Sequence, residues 1–180
     1  MKIDKLILVN AENPYREEYK GKLVPLSGSI FLEKEAAINL HRLLESIDGY
    51  KEIVPVSGWR SIWEQQEIWD SSVKENGIIF TRRFVAAPLH SEHHTGLAID
   101  LALKKDNIDF ICPEFPYSGI CQKFREAAPQ FGFIERYPKD KEHITKISHE
   151  PWHFRYVGRE AAMEIVRRGA CLEEFLSRIV

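Results

Sequence analysis

Two segments carry the residue types that could do chemistry: Ser91-Glu92-His93-His94-Thr95-Gly96-Leu97-Ala98-Ile99-Asp100 and Glu150-Pro151-Trp152-His153. Together they offer imidazoles, a carboxylate able to bind a metal and a second carboxylate to spare. A hydrolytic zinc site needs that inventory: three protein ligands, an open fourth position for water, and a base beside it that is not a ligand. Asp100 and Glu150 stand 50 residues apart, so only a folded domain can join the two segments.

Spacing sets conditions on that site. His93 and Asp100 are seven residues apart, and on an unbroken strand an odd separation points them to opposite faces. Both reach one ion only if the chain turns between them, and Thr95-Gly96 is the place, since glycine tolerates the dihedrals of a turn or bulge. Asp100 lies inside Leu-Ala-Ile-Asp-Leu-Ala-Leu. A carboxylate buried there needs a cation or a metal, because burying it alone is costly. Glu150-Pro151-Trp152-His153 is not the helical His-Glu-x-x-His motif: it has one histidine, and Pro151 opposes a helix interior. On a straight strand Glu150 and His153 point apart; a bend at Pro151 would let His153 bind while Glu150 stands one water away. The plain alternative is a capping Glu150 and a core His153 packed by Trp152 and Phe154. By composition, His90, His94, His143 and His149 are rival ligands. Arg60, in Ser57-Gly58-Trp59-Arg60-Ser61, precedes a helix start and could aim a guanidinium at an anion, although most arginines pair on the surface. Gln65 and Gln66 follow one turn later and could line the same cleft.

The elements that must position these groups are readable in outline. Residues 33–48 repeat apolar side chains at helical steps (Ala37, Leu40, Leu43, Leu44, Ile47) up to Asp48-Gly49. A short strand at 53–56 follows. Ser61 with Glu64 three residues on forms a capping box, opening a helix that runs to Asn76-Gly77. Residues 78–94 lack a sustained period and read as loop with at most one short strand. From Gly96 to Leu103 the pattern alternates, with Leu97, Ile99, Leu101 and Leu103 on a buried face and Gly96, Ala98, Asp100 and Ala102 on a small, polar one suited to a floor beneath an ion. A loop at 104–119 follows the Asp100 strand toward the site mouth; its Asp106, Asp109, Phe110, Pro113, Phe115 and Pro116 suit a semi-rigid flap that limits substrate length, or else it is a plain surface connection. A helix near 120–130, a strand at 131–137, a charged loop, a strand at 150–157 and two closing helices at 159–168 and 171–179 complete the chain. The N-terminal run through Leu8-Val9-Asn10 reads as a first strand ending at Asn13-Pro14. Helices at both ends and strands in the middle give an α+β fold: a single domain over 1–180, with a central, mainly antiparallel sheet flanked by helices and the metal site on the sheet.

Composition bounds the partners. At 180 residues the chain suits one core, and its formal net charge of −2 shows no block of one sign; Lys104-Lys105 and Arg167-Arg168 are isolated pairs. This argues against nucleic-acid and membrane partners. Cys112, Cys121 and Cys171 are odd in number and widely spaced, as expected for reduced thiols. The apolar run at the N-terminus is too short for a signal h-region or a membrane span. Those features point to the cytoplasm. They leave the oligomeric state open.

The motif Ser91-x-His93-x-x-Gly96-x-Ala98-x-Asp100, taken with Glu150-Pro151-Trp152-His153-Phe154-Arg155-Tyr156-Val157-Gly158 and Ser57-Gly58-Trp59-Arg60-Ser61, resembles the zinc D-alanyl-D-alanine peptidases of vancomycin resistance, above all the bifunctional dipeptidase/carboxypeptidases (VanXY). The likeness spans nearly the whole chain, including Lys74-Glu75-Asn76-Gly77, Ile111-Cys112-Pro113 and Arg136-Tyr137-Pro138. It implies one Zn2+ per chain held by His93, Asp100 and His153, Glu150 as catalytic base and Arg60 as oxyanion stabiliser. Ser91, Gln65 and Trp152 are implied at the substrate. The implied substrate is a small peptide, D-Ala-D-Ala or a D-Ala-D-Ala-ended muramyl pentapeptide precursor. The resemblance demotes His90 and His94, since only His93 fits the motif. Trp59 departs from the tyrosine usual before that arginine. Two other readings compete: a phage or cell-wall peptidoglycan endopeptidase on the same scaffold, and a zinc-stabilised binding module without catalysis. The endopeptidase lacks a wall-binding segment here, and the module has no use for Glu150 and Arg60.

Overall fold

The computed structural model describes residues 4–16, 19 and 21–177. A hairpin of β1 (Leu23–Ser27) and β2 (Ile30–Glu33) leads into α1 (Lys34–Ser46). The Glu33 side chain accepts from the Glu35 and Ala36 amides and caps α1, filling donors that a helix start otherwise leaves open. Ala36, Ala37, Leu40, Leu43 and Leu44 form its buried stripe, the apolar repeat visible in the sequence. Four strands, β3 (Ile53–Ser57), β4 (Ala98–Leu103), β5 (Phe133–Tyr137) and β6 (Glu150–Tyr156), make an antiparallel sheet in the order β3-β4-β6-β5. Between them come α2 (Ile62–Phe84), α3 (Gly119–Ala127) and the short α4 (Glu142–Thr145); α5 (Arg159–Arg168) and α6 (Leu172–Leu176) follow. The architecture is α+β, as the sequence implies.

Alternation divides the sheet into two faces. Ile99 pairs with Phe154 and both enter the main core with Leu40, Leu43, Leu101, Phe124 and Phe133. The next pair, Asp100 with His153, takes the opposite face, as period two requires. A second core gathers Ile134, Val157, Ala162, Ile165, Leu172 and Phe175 beneath α5 and α6. No helix among the described residues is long and apolar enough to cross a membrane.

Four expectations need correction. The first strand expected through Leu8-Val9 to Pro14 does not form over residues 4–16; residues 1–3 lie outside the described residues. The carbonyls of Lys5 and Ile7 accept from the Arg155 guanidinium, a side chain taking the place of a ladder partner. The helix expected to stop at Asn76-Gly77 resumes: Gly77 breaks helical geometry at φ 81°, ψ 160°, and residues 78–84 continue as helix where loop was expected. A buried hydroxyl pair, Ser72 with Thr81 at 2.8 Å, ties the two parts. Seven residues are too few for a helical period to register. The strand expected from 131 begins at Phe133, because residues 128–131 form a 3₁₀ turn. The hairpin at 23–33 has no counterpart in the sequence reading, since Pro25 and Gly28 mask the alternation. The end of the closing helix expected to 179 lies partly outside the described residues.

Candidate metal and catalytic site

The turn between His93 and Asp100 is present. Residues Glu92–Thr95 form a 3₁₀ turn capped by the Ser91 hydroxyl, and Gly96 ends it at φ 68°, a conformation glycine adopts without strain. This swings His93 back over the strand that carries Asp100. The His93 Nδ1–H donates to the Gly58 carbonyl at 2.6 Å, which leaves Nε2 free to face Asp100 Oδ2 at 3.1 Å. Gly58 sits so close to β2 that an added Cβ would lie 2.1 Å from the Phe31 carbonyl oxygen. Only glycine brings this backbone within reach of His93.

The second irregularity lies in β6. From Glu135 to Tyr137, two steps on β5, its partner advances four, from Phe154 to Glu150. This bulge around Pro151 lets Glu150 and His153 face the same cleft, as a straight strand would not. His153 Nδ1 stands 2.8 Å from Asp100 Oδ1 and 3.8 Å from Glu150 Oε2. A second bulge, between Pro55 and Ser57, sets Ser57 against Asp100. There the Ser57 hydroxyl accepts from Arg60 Nε at 3.0 Å. Arg60 also donates to Gln65 Oε1 at 2.9 Å and to Asp100 Oδ2 at 3.2 Å. The capping box of Ser61 and Glu64 fixes the start of α2 immediately after it.

His93, Asp100 and His153 are all buried, and their ligating atoms lie within 4.8 Å of one another; no other such group occurs among the described residues. The rival histidines are elsewhere. His94 donates to the Arg60 carbonyl and stacks on Tyr15, His90 bonds the Asn10 carbonyl, and His149 stacks on Tyr117. His143 falls in α4. Two imidazole nitrogens and a carboxylate make a donor set that zinc accepts. A cleft opens over these groups and is lined by every residue the resemblance assigned: Arg60, Gln65, Ser91, His93, Asp100, Glu150, Trp152 and His153. Trp152 also packs into the main core. Both ends of the Gln65 amide are engaged, one by Arg60 and the other on the Ala86 carbonyl.

The electrostatics separate the roles. Burial and the Arg60 charge lower the His93 pKa to about 4, so its Nε2 lone pair is available at neutral pH. Burial opposes ionisation of Asp100, but His93 and His153 outweigh it and hold the carboxyl far below the usual range. His153 is likewise opposed by burial, yet Asp100 raises it to about 9. Burial, reinforced by Asp100, raises Glu150 to about 8. A carboxyl perturbed this far inside a cleft suits acid–base work.

Tyr137 and Glu92 escaped the sequence reading. Tyr137 lays its ring against His153, centroids 4.9 Å apart. The loop at 104–118, by contrast, was expected near the site mouth, and its Phe110 and Ile111 line the cleft. Glu92, wholly buried behind His153, pairs with Arg136 and Arg155. Its only sequence signal was a charged residue wedged between Ser91 and His93.

Residues 29–159 match the D-alanyl-D-alanine carboxypeptidase (VanY) family. The chain is 42% identical, over 94% of its length and 92% of the relative's, to the bifunctional D-Ala-D-Ala dipeptidase and carboxypeptidase VanXYC of Enterococcus gallinarum. Its fold is similar to the vancomycin-resistance D,D-dipeptidase VanXYg, solved with a D-Ala-D-Ala phosphinate analogue: TM-score 0.95, 51% identity, 97% of this chain and 71% of that one. A mutant VanY D,D-pentapeptidase from a VanB-type cassette, solved with Zn(II), matches with TM-score 0.82 and 36% identity over 96% of this chain and 98% of the other. The chain belongs to the VanY family of D-alanyl-D-alanine carboxypeptidases.

Proposed function

We propose that this chain is a zinc D,D-peptidase, one catalytic domain with one ion, that hydrolyses D-Ala-D-Ala and the terminal D-Ala of muramyl pentapeptide precursors. The observation that carries the reading is the convergence of His93, Asp100 and His153 with Glu150 and Arg60 on one cleft. His93, Asp100 and His153 would hold the metal. Zinc in such a site supplies Lewis acidity toward a carbonyl and lowers the pKa of a water. Glu150 takes the proton of the attacking water and returns it to the leaving amine. Arg60, held by Ser57 and Gln65, presents positive charge to the oxyanion as it develops. Ser91 and Trp152 line the cleft against the substrate, and Gln65 acts there through Arg60. Removal of D-Ala-D-Ala ends would deprive a glycopeptide antibiotic of its target, and the free thiols of Cys112, Cys121 and Cys171 suit a cytoplasmic enzyme acting on precursors. The test is D-alanine release from the dipeptide and from the pentapeptide precursor, side by side, with zinc content measured on the same protein. Release from neither substrate by zinc-loaded protein would overturn the reading.

A further inference from the structure

At the edge of the His153 ring opposite the one facing Asp100, four charged side chains form a chain. Glu92 Oε1 accepts from Arg136 Nε at 2.8 Å and lies 2.9 Å from Arg155 Nη1. Arg136 turns its other two nitrogens to Glu173 of α6, at 2.8 and 2.7 Å. Arg136, Arg155 and Glu92 are wholly buried. Arg136 hydrogen-bonds Oε1 of Glu92, Arg155 Nη1 lies against the same oxygen as an ion pair without a hydrogen bond, and neither guanidinium hydrogen-bonds Oε2. That second oxygen is buried without a hydrogen-bond partner, and so is Nε2 of His153. The two unsatisfied atoms face each other at 3.5 Å. A buried acceptor and a buried donor, each otherwise orphaned, are the natural partners of one another.

We infer that Glu92 is a positioning residue for His153: its carboxylate accepts the Nε2–H, fixing the tautomer that leaves Nδ1 for the metal, while Arg136 and Glu173 anchor the carboxylate from α6. This rests on the zinc reading above. Glu92 does not join the metal shell, because it meets the ring edge opposite to the one facing Asp100. If it served only as a counter-ion for the two arginines, Oε2 would remain an orphan acceptor in the interior. A carboxylate on the far nitrogen of a ligating histidine fixes ring orientation and raises ligand basicity; losing such a partner typically weakens metal binding by about 10–100-fold.

The experiment compares zinc affinity, by competition with a chromogenic chelator, in the wild-type chain, Glu92→Gln and Glu173→Gln. It adds proton–nitrogen NMR of the His153 imidazole in zinc-loaded wild type. The expected result is a 10–100-fold rise in zinc Kd for Glu92→Gln and a smaller rise in the same direction for Glu173→Gln. The wild-type spectrum should show an exchange-protected Nε2–H. A folded Glu92→Gln with wild-type zinc affinity would overturn the inference. So would a zinc-loaded wild type whose His153 carries its proton on Nδ1. If Glu92→Gln fails to fold, Glu173→Gln and the wild-type spectrum decide, and unchanged affinity in Glu173→Gln removes the anchor from α6. Absence of zinc binding by wild type would sink the metal reading itself, which sets that failure apart from a failure of Glu92 alone.

Discussion

Glu92 and Glu150 are both buried beside His153, yet the protein treats them in opposite ways. Glu92 faces a penalty from burial that Arg136 and Arg155 more than offset, so its pKa falls far below the usual carboxylate range. Glu150 faces the same penalty with no dedicated cation, and its pKa rises to about 8. The first carboxylate belongs to a cluster in which two arginines answer two glutamates, and only the outer one, Glu173, is partly exposed. The second opens on a cleft. One residue type in two environments gives a fixed anion on one side of a histidine and a proton-exchanging group on the other. Pushing the pKa values of neighbouring groups apart is how a site assigns acid–base roles.

The largest effects should come from the groups between the two carboxylates. His93→Ala, Asp100→Ala and His153→Ala should each abolish zinc binding and D-alanine release together, since a three-ligand site has no spare donor; full zinc retention in His153→Ala would break the ligand assignment. Next comes the closed cluster. Glu92→Leu should destabilise the fold by about 3–5 kcal/mol, because it leaves two guanidiniums buried with Glu173 alone, measurable by urea denaturation of metal-free protein. The two glutamates should also differ in sign with pH. Glu92 has its folded pKa below the ordinary value of 4.5, so its contribution is complete above that value and fades as pH falls through the acid range. Glu150 has its folded pKa near 8, so its contribution is complete below pH 4.5 and is lost as pH rises through 8. Metal-free wild type should therefore lose Tm as pH rises from about 4.5 to 8, and Glu150→Gln should lose less over that range, keeping only the fall that His153 contributes as its raised proton is lost. Parallel Tm curves for the two proteins would show that Glu150 is not held protonated in the folded chain.

Catalysis should separate the two in the same way. Glu150→Gln should keep its zinc while kcat drops by ~10² or more, the usual scale for a lost general base; loss of zinc would make Glu150 a ligand. Arg60→Lys should lower kcat by ~10²–10³ with little change in KM. Lysine keeps the charge but cannot serve Ser57, Gln65 and Asp100 at once as the planar fork does. A normal kcat with a raised KM would assign Arg60 to uniform substrate binding.

The open site was legible and the closed cluster was not. Asp100 stood out as a carboxylate in an apolar strand, and the need for a turn before it pointed to Gly96. The mismatch between Glu150 and His153 pointed to a bend at Pro151, where the bulge lies. Local parity and burial rules carried those steps, and the resemblance then chose His93 over its rivals. Glu92 was invisible because its partners come from β5, β6 and α6, and no local pattern ties residue 92 to 136, 155 and 173. The helix beyond Gly77 was missed for a local reason: a seven-residue segment held by a buried hydroxyl pair shows no period.

The smallest effect concerns substrate length. The loop at 104–118 leaves β4 directly after the strand that carries Asp100. It is pinned at its base, where the Leu103 amide donates to the Glu114 carbonyl and Phe115 is buried. Asp109 caps the Ile111 and Cys112 amides, which stiffens the tip. That tip sets Phe110 and Ile111 at the boundary between the metal cleft and a wider groove along α2 lined by Glu64, Glu67 and Glu75. Phe110 is half exposed, so removing its ring should cost little stability. On the reading that a longer peptide runs from the metal cleft along that groove, it crosses this boundary and a dipeptide does not. Phe110→Ala should therefore shift the ratio of pentapeptide to dipeptide hydrolysis by a few-fold, the discrimination expected from one apolar contact of about 1 kcal/mol, with zinc content unchanged. A zinc-loaded Phe110→Ala with an unaltered ratio would show that the loop merely connects β4 to α3, and that substrate length is read elsewhere along the cleft.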